Sequence, residues 1–424
     1  MKSILKSICF GVTLAITVSC NQKQKEQSDK PVNQKEVTAK DILGNAYYQA
    51  ICYEGYRQKS RAIQPTIDEL KEDLKILSAM GIRILRTYNV QLRYPYASNL
   101  LQAIHELKIT DPNFEMYVML GAWIDCKNAW TDQTPDHNVE SEQNEGEINR
   151  AVALANQYPD IVKILAVGNE AMVKWAASYY VQPSVIFKWV NHVQSLKASG
   201  ELPKDLWITS SDDFASWGGG DTSYHTEDLE KLIKAVDYIS MHTYPYHNTH
   251  YNPAFWRVPI EETKFSEIEK ADAAMIRAKE FARSQYDAVA KYVKSLGVNK
   301  PIHIGETGWA TISDGFYGAE GSRATDEYKQ GQYYKHMREW TNASGISCFY
   351  FEAFDEQWKD AVNPEGSENH FGLFGLTGEA KYPLWKLVDQ GVFKNLTRDG
   401  NPIKKTYNGN EKILFNEIMA PPVK

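Results

Sequence analysis

The chain reads as an α/β protein built on one (β/α)8 barrel. Eight apolar, β-prone runs recur between residues 46 and 356, and segments with helical periodicity stand between them. Two of the runs end in a glutamate, Glu170 in ILAVGNEA and Glu306 in IHIGETGWA. In a parallel barrel the C-terminal strand ends carry the site, so a carboxylate there faces either solvent or chemistry.

The elements follow in order. AYYQAICY (46–53) is the first strand, and TIDELKEDLKILSAMG (66–81) is a helix with Ile67, Leu70, Leu74 and Leu77 on one face, stopped at Gly81. IRILRTYNV (82–90), EMYVMLGAWI (115–124), IVKILAVGNE (161–170), LWITSSDD (206–213) and VDYISMHTYPY (236–246) supply strands two to six. An extended connection, about 247–300, holds a loop and then a long helix from Ser266 to Leu296, ended by Gly297, which should cover one side of the barrel mouth. PIHIGETGW (301–309) and SCFYFEAFDE (347–356) complete the eight. The barrel is expected over 45–395, with 396–424 a polar extension that is either packed on the barrel or partly disordered.

The N-terminus reads as an address. Lys2 and Lys6 precede an apolar run from Ile8 to Val18, too short to span a bilayer, and Ser19-Cys20 follows where a lipoprotein signal is cut. Residues 1–20 are therefore expected to be a signal ending at a lipidated Cys20, and 21–44 a polar tether. A plain secretory signal is the alternative, because Thr17 stands where leucine is usual. The lipoprotein reading places the protein outside the cytoplasm, anchored to a bacterial membrane. Of five cysteines, Cys52, Cys126 and Cys348 remain and read as buried small residues.

Composition bounds the partners. A net charge of −7 leaves no basic surface for nucleic acid, and 12% aromatic content with 11 Trp and 25 Tyr suggests sugar stacking beside core packing. A tethered monomer is expected, with no cofactor.

Strands four and seven lie across the barrel mouth from each other, so Glu170 and Glu306 could flank one bond. Retaining glycoside cleavage needs two carboxyl groups about 5–5.5 Å apart, one protonating the leaving oxygen and the other attacking the anomeric carbon. Glu170 as the acid requires a drier, more negative setting. Glu306 as the nucleophile requires donors such as Arg86 or tyrosine hydroxyls to keep it ionised.

Over about 46–390 the chain resembles glycoside hydrolase family 17, the β-1,3-glucanases and glucanosyltransferases. AICYEG is similar to the family's GVCYG, ILRTYN to MRIYD, and IGETGWA to ETGWP; VGNEA and TYPY match its acid/base and sixth-strand motifs. FDEQWK with SENHFGLFG resembles FNENQK and ERNFGLF. The resemblance implies Glu170 as general acid/base and Glu306 as nucleophile. It implies supporting or binding roles for Tyr53, Arg86, Tyr88, Asn169 (toward a sugar 2-hydroxyl), Tyr244, Tyr246, Glu356, Lys359, Glu368 and Phe371. Trp309, directly after the nucleophile motif, is expected to wall the sugar being cleaved. Ala310 replaces the usual proline, and the loops after strands three, five and six do not align.

The implied activity is retaining hydrolysis of β-1,3-glucan, endo-acting. Alternatives are transglycosylation or exo action, and, from another class, a non-catalytic glycan-binding lipoprotein. Arg86 could instead be a barrel-floor counter-ion, and Tyr53, Tyr88 and Tyr244 core tyrosines. Trp123, Trp130, Trp217, Trp256 and Trp358 are candidate stacking platforms, about half of which should touch ligand. Asp212 and Asp213 close the fifth strand, either bonding sugar hydroxyls or holding a turn. No metal site is assigned to His242, His247 and His250, because a cation between the glutamates would erase their pKa separation. WGGGD (217–221) lacks the Lys-Ser/Thr of a phosphate loop.

Overall fold

The barrel strands are apolar because both of their faces are covered, by neighbouring side chains inside and by helices outside. In a computed structural model, which describes residues 37–423, they are β1 (Gln49–Cys52), β2 (Ile82–Arg86), β3 (Tyr117–Ala122), β4 (Val162–Asn169), β5 (Trp207–Asp213), β6 (Ile239–His242), β7 (Ile302–Gly308) and β8 (Cys348–Phe351). Each pairs in parallel with its sequence neighbours and β8 pairs with β1, which closes the (β/α)8 barrel.

The crossovers are α1 (Ile67–Ala79), α2 (Tyr96–Thr110), α3 (Gln143–Gln157), α4 (Pro183–Ser199), α5 (Glu227–Ala235), α6 (Glu267–Ser295) and α7 (Glu327–Ala343). Local chemistry sets their ends. Thr66 and Glu69 form a reciprocal capping box before α1, whose Leu70, Leu74 and Leu77 are buried against the barrel. Ser266 and Glu269 do the same for α6, which runs 29 residues and stops before Gly297 at φ +70°. A short helix, Pro245–Tyr251, precedes α6 and borders the barrel mouth.

Three features depart from the sequence reading. Between β3 and α3 a small antiparallel hairpin pairs Cys126–Lys127 with Asp136–Glu140. Residues 39–42, expected within the tether, form a helical turn with Ala39 and Ile42 buried. Just beyond it the Gly44 N–H donates to Ser347 Oγ at 2.8 Å, beside the start of β8. The folded unit thus includes residues 37–44 as well, ahead of the expected start at 45. The C-terminal extension takes the packed alternative. After α8 (Trp385–Asp389), Arg398 pairs with the buried Asp73 of α1, and Val258 N–H donates to Pro422 O at 2.9 Å.

Cys52, Cys126 and Cys348 are buried and free. Among the described residues no helix is long and apolar enough to cross a membrane. The expected signal, Cys20 and the tether up to residue 36 lie outside the described residues.

Candidate active site

Two strand ends bring the glutamates together. At the end of β4, Gly168 (φ +84°) and Glu170 (φ +45°) turn the chain, and the Glu170 N–H donates to Ser211 O on β5 at 2.9 Å. This leaves the Glu170 side chain facing the mouth with 17% of it exposed. On β7, Gly305 is required by a close approach: a Cβ there would lie 2.1 Å from Ser240 Oγ and 2.6 Å from Ser211 Oγ. Those hydroxyls form a chain, Ser240 to Ser211 to His242 Nε2, with links of 2.8 Å each. The other nitrogen of His242, Nδ1, lies 3.1 Å from Glu170 Oε1 and 4.0 Å from Glu306 Oε2.

Glu306 is held from two sides. The Arg86 guanidinium donates to Oε2 and also to Gly305 O at 3.1 Å, while the Tyr244 hydroxyl donates to Oε1 at 2.6 Å. The second guanidinium nitrogen of Arg86 donates to Asn169 Oδ1, which ties β2, β4 and β7 together through one buried cation. Tyr88 lies under that cation, its ring centroid 4.7 Å from the Arg86 Cζ.

The two carboxyl groups are pushed in opposite directions. Burial, then the nearby Glu306 charge, raises Glu170 to about 8 against the partial relief of Arg86. Burial also opposes ionisation of Glu306, but His242, Arg86 and the Tyr244 hydroxyl outweigh it and hold this carboxyl at about 2. His242 is itself driven down to about 4 by burial. At neutral pH the imidazole is therefore uncharged, and Arg86 with Tyr244 keeps Glu306 ionised.

One oxygen of Glu170, one of Glu306 and a nitrogen of His242 all lie within 4.8 Å of one another. Such a trio could in principle take a cation, yet both oxygens of Glu306 already accept from Arg86 and Tyr244. The donors aim at a carboxylate rather than leaving it free for a metal.

Above the pair lies a cleft of about 920 Å³, bordered by Tyr244, Phe351, Glu368 and Phe371 on one side and by Trp175 and Tyr224 on another. The structure brings Glu170, Glu306, Arg86, Asn169, Tyr88 and Tyr244 into contact or near contact here. Glu356 and Lys359 sit behind Phe351 in a buried charged group. Lys359 Nζ is 3.1 Å from Glu352 Oε2 and 3.4 Å from Glu356 Oε2, and 4.3 Å from the centre of the Phe351 ring. Glu356 also accepts from the Tyr56 backbone N–H and the Trp358 indole.

Other expected residues stand elsewhere. Trp309 is wholly buried and does not wall the cleft; its indole donates to Ala324 O at 2.8 Å and its ring packs on Tyr246, Trp256 and Tyr333. Strand alternation explains the correction: Glu306 faces the barrel mouth, whereas Thr307 and Trp309 face outward, and both meet Tyr333 of α7. Tyr246 is buried beside it, and Tyr53 points outward to α1, donating to Asp73 Oδ2 at 3.0 Å. Trp217 and Trp256 are core residues with satisfied indoles, so neither is a platform. The fifth-strand pair splits: Asp213 borders the cleft, whereas Asp212 is buried and accepts from the Met172 N–H at 2.7 Å.

Sequence reasoning missed His242 as the partner of Glu170, having weighed it only as a metal ligand. It also missed Trp175, which lies five residues after the acid and is 65% exposed. Glu352 and Glu54, buried with Lys359, were hidden within FEAFDE and CYEG because a carboxylate in an apolar run gives no sign of its partner.

The chain is similar to known glycoside hydrolases. A crystal structure of an endo-laminarinase from Formosa Hel1_33_131 is 69% identical, with a TM-score of 0.90 over 92% of this chain and 98% of that one. The β-1,3-glucanosyltransferase of Rhizomucor miehei, 21% identical with a TM-score of 0.52 over 78% of this chain and 94% of that one, shares the barrel. The putative glucan endo-1,3-beta-glucosidase btgC of Aspergillus niger is 24% identical over 338 residues, 77% of this chain, and the chain spans 41% of that relative's length. The BtgE/BtgC glycoside hydrolase domain matches residues 50–372, from β1 to the Phe371 wall of the cleft. With the ends of β4 and β7 both inside that span, the chain belongs to the BtgE/BtgC glycoside hydrolase domain family.

Proposed function

We propose that the protein hydrolyses β-1,3-glucan internally, with retention, as a member of glycoside hydrolase family 17. The observation that carries this reading is the pair Glu170 and Glu306, with carboxylate oxygens within 4.8 Å and ionisation preferences driven apart. Glu306, ionised, attacks the anomeric carbon; the glycosidic C–O bond breaks as Glu170 gives its proton to the leaving oxygen. A covalent glucosyl-enzyme results. Loss of the Glu306 charge then relieves Glu170, which takes a proton from incoming water as that water displaces Glu306.

Supporting groups follow from their contacts. Asn169 commits Oδ1 to Arg86, so its amide N–H groups are the ones offered to the sugar 2-hydroxyl. Endo action is supported by the Formosa relative, which is an endo-laminarinase.

The test is to incubate protein lacking residues 1–20 with soluble β-1,3-glucan and to follow product size. A spread of short oligosaccharides is expected. Glucose alone would mean exo action, products longer than the input would mean transfer, and unchanged glucan would overturn the assignment. We further propose that Cys20 carries a lipid that tethers a monomeric enzyme outside the cytoplasm; loss of membrane association in Cys20→Ser is the expected result.

A further inference from the structure

Beside the cleft, the surface carries an aromatic ledge that the catalytic chemistry leaves unused. Trp130 is 62% exposed, and its ring stacks on Tyr179 at a centroid distance of 5.0 Å and an interplanar angle of 21°. Trp123 closes the group, 5.2 Å from Tyr179 and 6.2 Å from Trp130. One face of the Trp130 ring is thus covered by Tyr179, and much of the remainder meets water. Large aromatic surface kept in water next to a site marks a place where a ligand covers it.

The ledge is rigid and continuous with the cleft. Trp130 rides on the hairpin after β3, and that hairpin is fixed to the loop that follows Glu170. The Cys126 N–H donates to Tyr179 O at 3.1 Å, and His137 both stacks on Tyr180 at 3.7 Å and approaches Tyr180 O at 2.8 Å through Nδ1. Trp123 is oriented by its indole N–H, 3.2 Å from Asp125 Oδ2. Tyr179 packs in one cluster with Val173, and Val173 borders the cleft. A chain of apolar contacts therefore runs from the Glu170 side of the cleft to Trp130.

We propose that this ledge is a binding subsite for a glucosyl unit of the same glucan chain, beyond the units held at the two glutamates. The proposal rests on the glucan reading above. A pyranose presents a face of C–H groups that covers an aromatic ring while its hydroxyls stay in water, which suits an exposed, pre-oriented Trp face. Lys127 and Asp132, on the same hairpin, are exposed polar residues.

The experiment compares wild type with Trp130→Ala and Trp130→Phe on long soluble β-1,3-glucan and on the shortest oligosaccharide the enzyme cleaves. Trp130→Ala should raise KM on the long chain about fivefold, the size of one lost aromatic stacking contact, and leave kcat within about twofold. The shortest substrate should show no change, and Trp130→Phe should recover most of the loss. Equal KM on the long chain would overturn the ledge while leaving the catalytic reading intact. Retardation in a gel cast with the same glucan, run in a Glu306→Gln background, reads binding without turnover. There, Trp130→Ala should migrate faster than its parent; equal migration would count against the ledge, and no retardation of the parent would overturn the glucan reading itself.

Discussion

The Tyr244 hydroxyl donates to Oε1 of Glu306 at 2.6 Å, taking the oxygen that Arg86 leaves free. The carboxylate is thereby fixed at both oxygens, and its charge is favoured by one cation and one neutral donor. Tyr244→Phe should lower kcat about tenfold, because a hydrogen bond to a charged group is lost. The acidic limb of the kcat/KM profile should also move toward neutral pH. An unmoved limb in a folded variant would mean that Arg86 alone sets the charge.

Glu170→Gln should cost about 10²- to 10⁴-fold in turnover, the range of general acid catalysis, while glucan binding persists. Glu306→Ala should abolish turnover more completely, and added azide should restore some of it by forming an α-glucosyl azide. Wild-type rates in either variant would sink the assignment. For the wild-type enzyme, kcat/KM should fall above about pH 8 as Glu170 ionises, with the acidic limb far below neutrality because Glu306 is held at about 2.

Gly305→Ala should reduce kcat between about tenfold and a hundredfold without touching substrate, because the new methyl collides with the Ser240 and Ser211 hydroxyls that hold His242 against Glu170. Trimming Ser240 to glycine in the same chain should restore part of the rate.

Stability should fall as pH rises from 6.5 to 8. Burial raises Glu54, Asp212, Asp213 and Glu327 to about 7 and Glu170 to about 8 in the folded state. The unfolded chain ionises all five near the ordinary carboxylate values, so it binds fewer protons in this window than the folded protein does. The slope of stability with pH is therefore negative until the folded groups also ionise, near pH 8. His242, His247 and His303, pushed down to about 4 by burial, act in the opposite sense only below 6.5. Thermal melts should show Tm dropping by about 5 °C across the window, and Asp213→Asn, which removes one of the five groups, should make the drop shallower.

Tyr53→Phe should cost about 1 kcal/mol of stability with kcat and KM unchanged, since its hydroxyl serves Asp73 and not substrate. Asp73→Ala should cost about 3–5 kcal/mol, because it takes the buried carboxylate away from Arg398 and leaves Arg57 only its pairs with Glu72 and Asp399. A raised KM in Tyr53→Phe would return this tyrosine to the cleft.

By itself the sequence determined the barrel, its eight strands, the ends of α1 and α6, and the two glutamates. Each of these rests on local chemistry: runs covered on both faces, capping boxes, stop glycines, and carboxylates at strand exits. Only the tertiary structure decided which neighbours those groups meet. Trp309 and Trp130 look alike as sequence candidates for stacking, yet one is walled in by Tyr246, Trp256 and Tyr333 while the other stands in water on a hairpin. His242 becomes the partner of Glu170 because β4, β5 and β6 lie side by side in the closed barrel and Gly305 leaves room for the serines behind it. Arg86 is expected from the sequence as one possible donor to Glu306, yet that it reaches Glu306 across 220 residues, with Tyr244 as the hydroxyl beside it, follows from closure of the barrel and not from any local property of IRILR or IHIGE.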